Sequence, residues 1–120
     1  MKVTRLSDAK SYEAKLHNNM TALRLQGLEA SSLESFSCSL SYFLPGGDAE
    51  WSGSPNEKVY VVLEGEVTII TGSTDAPKET TLGPLDSCVI GFDEQRAIKN
   101  CSNKPVTMLV IVSSNLREKE

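Results

Sequence analysis

Short segments rich in β-branched and aromatic residues recur along the chain at 21–26, 35–44, 58–63, 66–71, 79–82, 87–91, 96–100 and 106–113. Turn signals separate them: Pro45-Gly46-Gly47, Glu64-Gly65-Glu66, the run 72–77 and Gly83-Pro84. These residues supply positive φ, fixed φ or local side-chain bonding. Apart from one possible helical turn near 7–15, no stretch keeps the i, i+3, i+4 spacing of an amphipathic helix. The pattern predicts an all-β sandwich or barrel. Val59-Tyr60-Val61-Val62-Leu63 and Met108-Leu109-Val110-Ile111-Val112 are apolar on both faces. Such strands suit sheets covered on both sides, and one face is expected to line an enclosed cavity. Residues 1–20 read as an N-terminal segment packed on the barrel, 21–113 as the barrel and 114–120 as a polar tail.

Composition narrows the class. The chain has 120 residues, 39% hydrophobic and 23% charged, which fits one globular domain whose core needs no disulfide or structural metal. A net charge of −4 opposes the counterion release behind nucleic-acid binding. No apolar run approaches the roughly 20 residues of a membrane helix. The charged N-terminus lacks the apolar core of a secretory signal, so a cytoplasmic protein is expected. Cys38, Cys88 and Cys101 have neither Cys-x-x-Cys spacing nor a nearby histidine and read as free, mostly buried thiols. Tyr42 and Phe43 should face opposite ways along their strand, and Met20 and Met108 read as gap-filling core.

The stretch PGGDAEWSGSPNEKVYVVLEGEVTI, residues 45–69, resembles without gaps the first motif of the cupin family, G-x5-H-x-H-x3-E-x6-G. LDSCVIGFDEQRAIKNCSNKP, residues 85–105, resembles the second, G-D-x4-P-x-G-x2-H-x3-N, with Asp86 and Asn100 in place. The resemblance implies a single-domain jelly-roll β-barrel that pairs as a homodimer. The departures carry the chemistry. Ser52, Ser54, Lys58 and Arg96 stand where the family has its metal ligands. Moving the first motif by one position offers only Trp51 and Gly53. Hydroxyls and cations make a poor shell for a divalent ion, so no metal and no cofactor are expected. The second motif also has Leu85 and Asp93 in place of glycines and Gly91 in place of proline.

If those positions converge as the resemblance implies, Lys58 and Arg96 face one cavity and require a carboxylate or a bound anion between them. Glu57, Asp93 or Glu94 as internal partner would make a filled structural barrel. A bound carboxylate would be gripped by the planar fork of Arg96 and the point charge of Lys58, with Ser52, Ser54 and Tyr60 as orienting donors. Trp51 either stacks on a ligand at the mouth or covers the core edge. His17, the only histidine, either lies on the surface or brings a group titrating near neutrality across the barrel. The expected function is binding of a small organic acid in an accessory or sensing role. The alternatives are a metal-independent lyase or isomerase, using Lys58 with Tyr60 or His17 on a carbonyl-containing acid, and a structural or partner-binding dimer.

Overall fold

The computed structural model describes residues 1–114, and the expected polar tail lies, beyond Ser114, outside the described residues. A single 3₁₀ turn, Leu6–Asp8, precedes nine strands: β1 (Lys10–Tyr12), β2 (His17–Gln26), β3 (Phe36–Ser52), β4 (Lys58–Glu64), β5 (Val67–Gly72), β6 (Pro77–Leu82), β7 (Ser87–Ile90), β8 (Arg96–Lys99) and β9 (Val106–Ser113). All eight expected segments are strands. The helical turn expected near 7–15 is confined to its first residues, because Lys10 and Tyr12 pair with Arg24 and Ala22 of β2 instead. The Tyr12 ring lies 3.8 Å from the Arg24 guanidinium carbon, and its hydroxyl donates to Ser39 Oγ at 2.9 Å. Strand β2 starts at His17, earlier than the pattern suggested, because Asn18 and His17 pair with Asp48 and Ala49.

Strand β3 organises the molecule. The Pro45-Gly46-Gly47 signal bends the strand without ending it. One edge of β3 pairs with β2 on both sides of the bend. The other pairs first with β9 and then, past the bend, with β8. One sheet therefore runs β1-β2-β3-β9-β4-β7 and the other β2-β3-β8-β5-β6, folded over each other as a nearly closed jelly-roll barrel. The floor of the barrel is packed by Phe43, Val62, Val67, Ile69, Ile98, Val106 and Met108. The altered second motif keeps its turns without the glycines: Leu85 has φ 69° and Asp93 has φ 59°. Asn100, fully buried, donates to the carbonyls of Phe43 at 3.0 Å and Lys104 at 2.7 Å, tying the β8–β9 loop to the bend. Cys38 and Cys88 are half-buried and Cys101 is exposed, all as free thiols. No helix among the described residues is long and apolar enough to cross a membrane.

Candidate functional site

Register decides which side chains face inward. Cross-strand partners share a face, so Lys58 and Tyr60 of β4 lie beside Val112 and Val110 of β9. These in turn lie beside Ser37 and Ser39 of β3. Together with Phe43, Ile98, Met108 and Arg96, these rows bound a cavity of about 410 Å³, within the range of small-molecule pockets. Residues before the barrel close its mouth: Tyr12, Glu13, Ala14 and Lys15 line it, as does His17.

Arg96 is 6% exposed. Its Nε donates to Tyr60 Oη at 2.8 Å, and its Nη1 to Ser52 Oγ at 3.0 Å and the Glu50 carbonyl at 3.2 Å. Among the described residues no group accepts from Nη2, and no carboxylate lies within 4.0 Å of the guanidinium. Because Tyr60 Oη accepts from the arginine, its own proton is left for another acceptor. Burial pushes the Tyr60 hydroxyl above its ordinary pKa, while the Arg96 charge pulls the other way.

Lys58 Nζ donates to Ser54 Oγ. Burial, and then the Arg96 charge, hold its pKa below the ordinary lysine value. The possible internal partners do not neutralise the two cations. Glu94 Oε1 accepts from the Gly91 amide at 2.8 Å, and none of Glu57, Asp93 and Glu94 forms an ion pair with Lys58 or Arg96 among the described residues. His17 is half-buried and stacked against Phe43, with ring centroids 6.3 Å apart. Its Nδ1 lies 2.6 Å from the Lys15 carbonyl. Burial lowers its pKa, the Lys15 bond opposes that, and Arg96 adds to the lowering.

The structure thus brings Lys58, Arg96, Tyr60 and His17 to one cavity. Ser52 and Ser54 are absent from its lining and serve instead as acceptors that hold the two cations. Trp51, half-buried on β3, does not line it either, because the irregularity between Ala49 and Ser52 shifts the inward register. Sequence reasoning missed Ser37, Ser41, Arg24 and the mouth residues Tyr12, Glu13 and Lys15. Ser37 and Ser41 are 7% and 6% exposed, and among the described residues neither hydroxyl has a hydrogen-bond partner. The alternation in Ser37-Cys38-Ser39-Leu40-Ser41 was the available signal. It reads equally well with the serines outside.

The resemblance to cupins raises the question of a metal, and the donor set here does not fit one. At the family's ligand positions, both hydroxyls already accept from a guanidinium and an ammonium. A cation placed among them would meet two positive charges. Among the described residues no three His, Cys, Asp or Glu side chains gather as a metal site.

No family model matches the chain. It is 40% identical over 118 residues to Beta-D-galactosidase Rv1717 of Mycobacterium tuberculosis, covering 98% of each chain. The polyketide cyclase RemF from Streptomyces resistomycificus superposes with a TM-score of 0.81 at 18% identity, covering 98% of this chain and 82% of that one. A sugar phosphate isomerase of the cupin superfamily from Silicibacter pomeroyi gives 0.75 at 19% identity, covering 92% and 74%. At these identities the likeness to the solved structures is one of fold. The chain has the cupin fold and belongs to the same family as the Mycobacterium tuberculosis protein.

Proposed function

We propose that this cupin binds a small organic acid in its barrel, with the carboxylate on Arg96 and Lys58 and the hydrocarbon body against Phe43, Ile98, Met108, Val110 and Val112. The observation that carries the reading is Arg96 itself, a buried guanidinium lining a cavity with no carboxylate partner among the described residues. An uncompensated buried charge is costly, and a bound anion would offset that cost. The charge distribution agrees. A chain with 12 basic and 16 acidic residues lines this cavity with Lys15, Lys58 and Arg96 against Glu13, while Arg24, also in the lining, is paired with Glu29 at 3.0 Å.

Thermal unfolding against small carboxylic acids and their amides tests the reading, since ligands of the native state raise its apparent stability. Acids should raise the melting temperature and amides should not, and Arg96→Met should abolish the shift. If acids and amides behave alike, the carboxylate site is wrong.

The full-length match to Rv1717 favours a second reading, hydrolysis of β-D-galactosides. That chemistry commonly uses two carboxylates roughly 5–10 Å apart. Among the described residues lining the cavity, only Glu13 carries one. Release of nitrophenol from a nitrophenyl β-D-galactoside, lost in Glu13→Gln, would establish it.

A further inference from the structure

Resting on the acid-binding reading, we infer that the cavity moves protons on carbon, with His17 Nε2 as the base that deprotonates the carbon beside the keto group of a bound 2-oxo acid. Three observations meet here.

The first is a fixed tautomer. A carbonyl oxygen can only accept, so the 2.6 Å contact between His17 Nδ1 and the Lys15 carbonyl places the proton of the neutral ring on Nδ1. The lone pair is then on Nε2, which has no partner among the described residues. The ring lies roughly parallel to that of Phe43, with centroids 6.3 Å apart. Its lowered pKa favours the neutral form near pH 7, with burial as the main cause, Arg96 adding to the lowering and Asp48 opposing it.

The second is position. His17 pairs with Ala49, and Ala49 with Ile98, two residues along β8 from Arg96. The imidazole and the guanidinium thus stand on the same sheet, one at the start of β2 and the other at the start of β8, and both line the one cavity.

The third is a place for the charge that deprotonation creates. With the substrate carboxylate on Arg96, its keto oxygen can receive the Tyr60 O–H proton that the Arg96 bond leaves free. Donors oriented before the reaction stabilise a developing enolate without reorganising.

The step balances without oxidant, reductant or co-reactant. His17 Nε2 takes the proton, and the C–H electron pair becomes the C=C bond of the enolate as the carbonyl π pair moves to oxygen. The imidazolium then returns a proton to carbon, after exchange with solvent, or to the enolate oxygen. The products are the solvent-labelled acid and its enol tautomer.

The test follows C3–H exchange of phenylpyruvate and 2-oxobutyrate in D₂O by proton NMR, alongside the melting-temperature shift that each acid causes. Wild-type protein should speed exchange about 100-fold over an equal concentration of imidazole, within the span general-base catalysis supplies. His17→Gln should lose the acceleration and keep the shift, which also shows that it folds. Arg96→Met should lose both. A shift without exchange in wild type, or undiminished exchange in His17→Gln, overturns the inference and leaves acid binding standing. Absence of both shift and exchange with wild type overturns the two together.

Discussion

Leu85 shows what single residues bear in this fold. It is 79% exposed and its φ is 69°, where the resembling motif has glycine. A left-handed conformation costs an L-residue roughly 1–2 kcal/mol, and glycine's extra unfolded-state entropy returns about 0.5–1 kcal/mol of that. Leu85→Gly should therefore stabilise the protein by about 0.5–1 kcal/mol, read as a higher urea midpoint at unchanged slope. A lower midpoint would show that the leucine contributes more than its exposure indicates. At this same scale the sequence was informative about charge and uninformative about hydroxyls. Lys58 and Arg96 reached the cavity because motif spacing fixed their strand positions. Ser37 and Ser41 went unnoticed because a serine alternating with apolar residues ordinarily marks the solvent face. Here the outward partner Leu40 is itself only 9% exposed, so the usual polarity of the two faces is inverted.

Among the elements, β3 departs furthest from its sequence signal. Pro45-Gly46-Gly47 has the composition of a turn, yet the bend is held inside the ladder: the Gly46 amide donates to the Asn100 carbonyl at 3.0 Å, and the Asn100 amide to the Gly47 carbonyl at 2.9 Å. That bracing comes from a loop more than fifty positions downstream, and no local pattern reports it. The two glycines do different work. A Cβ on Gly47 would sit 2.4 Å from the Asn19 carbonyl oxygen, whereas one on Gly46 would meet nothing within 4 Å but would occupy a φ of 79°. Gly46→Ala should cost about 1–2 kcal/mol from the backbone alone. Gly47→Ala should cost about 3 kcal/mol or more, since backbone must move, and chemical denaturation of the pair would show the ordering. Equal costs would mean that the bend relaxes freely. Strand β1 was illegible for a different reason. Three residues carry no periodicity, and its docking depends on Tyr12 reaching Arg24 and Ser39.

For the whole molecule, the outer face of the β3-β9-β4 sheet is apolar. Opposite the cavity, the register aligns Leu23 with Leu40, Leu40 with Leu109 and Leu109 with Val61, and nearby Cys38 with Ile111 and Ile111 with Val59. Val89 on β7, the partner of Val59, is 61% exposed. A sheet with one solvated face normally alternates apolar with polar residues. We propose that a second copy of the chain covers this outer face. Sedimentation at micromolar concentration should give a dimer, and Leu109→Lys a monomer, while a monomeric wild type would refute the pairing.

The serine row has a wider consequence. Where the neighbouring β9 carries Met108, Val110 and Val112, this stretch of β3 carries hydroxyls around a hollow, and the organic acid proposed above would complete that part of the barrel's interior. Binding of that molecule would then be the closing step of core formation, raising stability by an amount set by its concentration. In a living cell, where small changes in stability alter how quickly a chain is degraded, the quantity of this protein would rise and fall with the supply of its ligand. Its abundance would be a readout of that metabolite without any dedicated regulator.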